Sequence, residues 1–439
     1  MARLARLKAR RVLDSRGRPT IEVDAFASDG SIGRAIAPSG ASTGRYESFE
    51  LRDFDSPRFG GRDVGRASAH VEGEIARRLI DFDLDDQAAI DRAMIELDGT
   101  TQKTRLGGNA ILAVSLACAR AAALSHHEEL YVYLNRLWRS YAIAGVDAAP
   151  RIPVPIVNMI SGGAHAGRNL DIQDVLAVPL GEYSYTDSLE RVVALYHELG
   201  SLLRERGEEG SLVGDEGGFG PKLADDSIAI ERVVVAIERI GLVPGVDFAI
   251  ALDVAATQFH DKSTDAYLVR TVARDGSRGD PINISSSAMI DMLESWVDRY
   301  PIVALEDPLA EDDWNGWREI TKRLGDRVHL IGDDLFVTNA NRLREGVDEN
   351  VANAILIKPN QAGTLTETLE TLALAKRSGY RTIVSARSGE TEDSTIADLA
   401  VATASDHIKI GSVARSERLA KYNRLLRIEE ELSEANRNQ

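Results

Sequence analysis

Residues 302–361, IVALEDPLAEDDWNGWREITKRLGDRVHLIGDDLFVTNANRLREGVDENVANAILIKPNQ, decide the fold. They contain three short apolar runs, VALEDP (Val303–Pro308), HLIGDD (His329–Asp334) and AILIKPNQ (Ala354–Gln361), each ending in a charged residue. An apolar run of four or five residues fits a strand buried on both faces, as in a parallel sheet, and the charge then marks the strand's mouth. Three mouths present Glu306, Asp333 and Lys358, and the earlier run FAIALDVA presents Asp253. RTIVSARSG carries Arg387 and Ser388 just beyond another strand, and HIKIGS carries Lys409 near the end of a further one. Successive mouths after Glu306 lie roughly 25 residues apart, about one strand–helix unit of a (β/α) barrel, a fold that works from the C-terminal ends of its strands.

Equivalent ends of neighbouring strands bring distant residues together, so Asp253, Glu306 and Asp333 are expected to form a three-carboxylate cluster. Three anions in a small space protonate one of their number unless a cation joins them. A hard divalent ion with oxygen ligands, most simply Mg²⁺, answers that need. A single Asp or Glu more often caps a helix or pairs with a surface Arg. Three at matching strand ends, with lysines on neighbouring strands, favour the metal.

Outward from this stretch the chain reads as two domains, as 439 residues would suggest. Residues 11–60 resemble a short antiparallel sheet, with RVLDSRG and its turn, the alternating TIEVDAFAS, and SIGRAIAP. The loop PSGASTGRYES follows, either a surface turn or a lid whose hydroxyls, Ser42 in particular, swing onto a ligand. Residues 64–138 are mostly helical, giving an α+β domain over residues 1–140. Pro150, Pro153 and Pro155 interrupt any helix at the boundary, and the barrel takes residues 150–439. Within it VPIVNMISGGAHAGRNLDIQDVLAVP supplies a strand, a glycine-rich loop with His165, and a second strand with Gln173 and Asp174. SLVGDEGGFGP places Glu216 in another glycine-rich turn, where a lone acid more often faces solvent than substrate.

Composition narrows the function classes. A net charge of −17 argues against nucleic-acid binding, which needs a basic face, but not against a small anion held by a local cluster of cations. The only cysteine, Cys118, lies in the small-residue run NAILAVSLACARAAAL, which reads as core and excludes an internal disulfide. No apolar run approaches the roughly 20 residues that span a bilayer, and the basic start MARLARLKARR lacks the apolar centre of a secretory signal. A cytoplasmic protein without membrane partners is the expectation.

The sequence resembles enolase across nearly its whole length. The resemblance is carried by DSRGRPTIEV, PSGASTGRYE, RLGGNAILAVSLA, NMISGGAHAG, VGDEGGFGP, ALDVAA, YPIVALEDPLAEDDW, IGDDLFVTN, ILIKPNQAGTLTET, RSGETEDSTIADLAV, IKIGS and ARSERLAKYN, in that order. It implies an α/β fold, a modified (β/α)8 barrel with an N-terminal α+β capping domain, assembled as a homodimer or higher homo-oligomer. By position it implies Asp253, Glu306 and Asp333 as ligands of one Mg²⁺, and Ser42 as the lid residue reaching a second, so that each site holds two. Lys358 would be the base that removes the proton beside the substrate carboxylate, and Glu216 the acid that helps the β-hydroxyl leave. Arg387 and Ser388 match phosphate contacts, Lys409 a carboxylate contact, and His165 and Gln173 further groups of the site. Removing a proton beside a carboxylate adds charge to a group already anionic, so the metals and Lys409 would stabilise the product electrostatically.

Two positions depart from the family. Asp174 stands where enolases have Glu, and Ala386 where they have His before the Arg–Ser pair; Gln258 replaces a further Glu with no evident role. Losing a methylene withdraws the Asp174 carboxylate by about 1.5 Å, and a misplacement of about 1 Å can cost on the order of 10²-fold in rate. Ala386 opens room beside the phosphate. Retained ligands and base with an altered phosphate side suggest a small phosphorylated carboxylate substrate resembling 2-phosphoglycerate, bearing another phosphorus group and turned into a phosphoenolpyruvate-type enol. The relative of enolase in phosphinate antibiotic pathways, carboxyphosphonoenolpyruvate synthase, is the concrete precedent. The alternatives are an ordinary glycolytic enolase and a non-catalytic binding protein on an enolase frame.

Overall fold

The computed structural model describes residues 2–40, 44–141, 149–273 and 277–437. Strands β1 (Leu4–Leu13), β2 (Pro19–Ala27) and β3 (Ile32–Ile36) form an antiparallel sheet in that order. The basic start of the chain is therefore strand. Leu4 and Leu7 turn inward, while Arg10 is held outside by Glu22 and Asp24 of β2. The helix Gly108–Ser125 packs on this sheet, and Gly33 allows it to lie close. A Cβ there would come within 2.1 Å of the Ala117 carbonyl oxygen. That helix is long and apolar enough to cross a bilayer by length and composition, but 83% of it is buried inside the protein. Its apolar surface, Cys118 included, belongs to the core.

Strands β4 (Val154–Ser161), β5 (Asp174–Pro179) and β6 (Phe248–Asp253) follow, and then a small antiparallel sheet of β7 (His260–Asp261), β8 (Ala266–Val272) and β9 (Arg278–Ile284). The sequence reading did not foresee that small sheet. Next come β10 (Ile302–Glu306), β11 (His329–Gly332), β12 (Ala354–Ile357), β13 (Arg381–Ser385) and β14 (His407–Gly411). Strands β10 to β14, β4, β5 and β6 close into an eight-stranded barrel in that order. Helices follow β10 to β14 in turn, the last being Ser416–Arg437. The strands read as near-continuous apolar runs because both faces are covered, and every residue of β5, β6 and β12 is buried. The barrel is modified in one respect. β5 runs antiparallel to both β4 and β6, so its first residue, not its last, stands at the working end.

The described residues group into two compact units, Met1–Pro153 with Phe336–Arg344 and Leu356–Ser405, and Val154–Leu335 with Glu345–Ile355 and Asp406–Gln439. Candidate site residues occur in both.

Candidate active site

In the second unit, register aligns three acids. Glu306 pairs with Asp253 across β10 and β6, and Asp253 pairs with Asp174 across β6 and β5. Lys409, rising from β14, places Nζ 2.7 Å from Asp253 Oδ2 and 2.6 Å from Glu306 Oε2. All three are buried. Burial alone would push the Lys409 ammonium down, but the Asp253 and Glu306 carboxylates hold it well above the ordinary lysine range.

Asp333 lies just past β11, two residues beyond Ile331, the register partner of Glu306. Its backbone N–H donates to Asp307 Oδ1 (3.0 Å) and that of Asp334 to Asp307 Oδ2 (2.8 Å). Asp307 thus fixes the turn that presents Asp333, and carboxylate oxygens of Asp307, Asp333 and Asp334 lie within 4.8 Å of one another. Burial, and then the Asp334, Asp333 and Glu306 charges, hold the Asp307 carboxyl well above the usual range. Sequence reasoning passed over Asp307, although it sits inside the quoted VALEDP run.

Carboxylate oxygens suit a hard divalent cation, and two groups have ligand atoms close enough to share one, Asp307 with Asp333 and Asp334, and His165 with Asp174 and Glu216. Asp253 and Glu306 already converge on one positive charge, the Lys409 ammonium. Ser42, expected to serve a second ion, lies outside the described residues.

Beside the acids is a proton-handling group. His165, in the 3₁₀ turn Gly163–Ala166, puts Nδ1 2.8 Å from Asp174 Oδ2 and Nε2 3.9 Å from Glu216 Oε1. Asn158 Nδ2 donates to Asp174 Oδ1 at 2.6 Å. The glycines around Glu216 are there for closeness: a Cβ on Gly218 would meet Asn158 Oδ1 at 2.4 Å. Burial alone would push the His165 imidazolium down, but Asp174, with Glu216, raises it to about 9. Burial in turn raises the Asp174 carboxyl, opposed by His165. An unfolded histidine titrates near 6.5, so the ion pair's stabilisation is full below about pH 6.5 and is lost as pH rises through about 9. Urea unfolding is therefore expected to show stability declining across that window, and Asp174→Asn should flatten the decline. An equal slope in that variant would exclude His165 as its source.

Gln173, just before β5, donates from Nε2 to Asp253 Oδ2 (3.1 Å) and accepts from Gln258 Nε2 (2.6 Å). Gln258, which had no role in the sequence reading, therefore has a place in the site.

The first unit carries the remaining residues. Lys358 caps the end of β12, its N–H donating to Thr338 Oγ1 at 2.8 Å, and Pro359 keeps it extended at φ −124°, ψ 108°. Its side chain is half-buried. Ala386, Arg387 and Ser388 follow β13, all buried. Arg387 donates to both oxygens of Glu47 (2.9 and 3.3 Å) and to Asn360 Oδ1 (3.1 Å). Glu47 Oε1 also accepts from the backbone N–H of Gly44 at 2.8 Å, so the carboxylate ties the expected lid loop to the arginine. It stood in the quoted PSGASTGRYE, but nothing local marked it as an arginine's partner. Removing one member of a buried pair strands the other, so Glu47→Ala is expected to lower the unfolding free energy by about 3 kcal/mol. Urea denaturation checks this, and a change below about 0.5 kcal/mol would show the pair to be solvated.

A closed barrel with one reversed strand, carrying acids in register about a buried lysine, fits the modified enolase-type barrel expected from the sequence. The comparison with family models agrees. The model described as "Enolase, N-terminal domain" matches residues 4–134 and the one described as "Enolase, C-terminal TIM barrel domain" matches residues 149–438. The chain belongs to the enolase family.

Proposed function

We propose that the protein is a Mg²⁺-dependent lyase that forms a phosphoenolpyruvate-type enol from a 2-phosphoglycerate-like substrate whose phosphorus group is larger than phosphate. The observation that carries the altered substrate is the fate of Asp174. Both its oxygens are engaged by Asn158 and His165, while the Asp253–Lys409–Glu306 cluster is intact. Lys358, as the free amine, takes the proton beside the substrate carboxylate. The β-carbon–oxygen bond then breaks, and the hydroxyl leaves as water with a proton from Glu216. Lys409 contacts the carboxylate, with Gln173 and His165 beside it, and Arg387 and Ser388 hold the phosphorus oxygens, with Ala386 leaving room. Bound by Asp253, Glu306 and Asp333, with a second ion reached by Ser42, Mg²⁺ would supply positive charge to stabilise the anion left by proton removal. We further place the protein in the cytoplasm, as a homodimer or higher homo-oligomer, with no nucleic-acid or membrane partner.

The test compares kcat/KM on 2-phosphoglycerate with that on an analogue carrying a carboxyphosphoryl group, the kind of group handled by carboxyphosphonoenolpyruvate synthase. Preference for the analogue is expected. Turnover of 2-phosphoglycerate at the speed of a glycolytic enolase would instead establish the second reading, an ordinary phosphopyruvate hydratase, which the near full-length family match favours.

A further inference from the structure

We propose that Gln258 is a positioning residue that sets the amide orientation of Gln173 and, through it, orients Asp253 for metal binding. Gln258 lies in the short 3₁₀ turn Ala256–Phe259 directly after β6, its N–H bonded to the Ala255 carbonyl at 3.0 Å. From there Nε2 reaches Gln173 Oε1 at 2.6 Å, and Gln173 Nε2 reaches Asp253 Oδ2 at 3.1 Å. Gln173 is itself anchored on the same strand end, its backbone N–H donating to the Asp253 carbonyl at 2.9 Å.

A side-chain amide has one donor end and one acceptor end. An ionised Asp253 accepts only, so Gln173 must turn its NH₂ to Asp253 and its carbonyl to position 258. Whatever stands at 258 must then donate. Glutamine does so. An ionised glutamate, the residue of the enolase pattern at this position, accepts only. Facing Gln173 Oε1 it would set acceptor against acceptor, and turning the amide to relieve that would take the NH₂ away from Asp253. Gln258 resolves that contest in favour of Asp253. Asp253 Oδ2 then holds two donors, Gln173 and Lys409, and Oδ1 would be the oxygen offered to a metal. The inference rests on the metal reading of Asp253 but not on any choice of substrate.

The test is calorimetric titration of Mg²⁺ alone into the metal-free protein. Gln258→Glu is expected to weaken Mg²⁺ binding about tenfold, in the range found when a partner of a metal ligand is lost. The sign is diagnostic, because an added carboxylate near a cation would tighten binding by charge alone. Gln258→Leu, which neither donates nor adds charge, should show a smaller loss. In a Gln173→Leu background, Gln258→Glu should cause no further loss. Unchanged or tighter binding by Gln258→Glu overturns the proposal, as does a loss that persists in full without Gln173. If the natural protein takes up no Mg²⁺, the metal reading falls and this inference with it. No substrate is present, so a wrong substrate assignment leaves the result untouched.

Discussion

Lys358→Ala is expected to abolish all but about 10⁻⁴ of the Mg²⁺-dependent turnover, the upper end of what a positioned general base contributes. The geometry explains why so much rests on one amine. Pro359 and the Thr338 hydroxyl fix the backbone at Lys358, so the side chain leaves the end of β12 in a set direction. Neither Lys358→Ala nor Lys358→Arg should alter Mg²⁺ uptake, since the ligands are elsewhere. Arginine should not rescue, because a guanidinium stays protonated and cannot act as a base. Exchange of the substrate's α-hydrogen with deuterated water isolates the step. Exchange by Lys358→Ala at the natural rate would assign the base to another residue.

The second large effect runs upward. Asp174→Glu combined with Ala386→His is expected to raise turnover of 2-phosphoglycerate by about 10²-fold or more, on the scale set by a misplaced catalytic group. Asp174 is short enough to settle on His165 and Asn158, and a glutamate at the head of β5 would project about 1.5 Å further. Ala386 is buried with only a methyl group to offer, so histidine there would supply a ring and fill space. The same pair of changes should depress turnover of the bulkier analogue. If the double variant is no faster on 2-phosphoglycerate, the two departures have no bearing on the choice of phosphorus group.

Strand ends were readable because the barrel buries both faces of each strand, which makes an apolar run followed by a charge conspicuous. Glu306, Asp253, Lys358 and Lys409 were found that way, each at the end of a strand or inside one. Asp174 could not be. It heads a reversed strand, so although the reading placed it on a strand, only the likeness to enolase gave it a role. Partnerships between distant segments were equally hidden. Glu47 and Arg387 are 340 positions apart, and nothing near either names the other. Gln258 looked idle because its effect is exerted through a second amide. The β7–β9 sheet went unread because β9, RGDPINI, is largely exposed and lacks a clean alternation.

Lys409 has one more consequence. Its ammonium is a built-in counterion for Asp253 and Glu306, so stripping the protein with a chelator should not set those two acids against one another. The fold should survive such treatment, and one divalent ion could be exchanged for another by dialysis, without a round of denaturation.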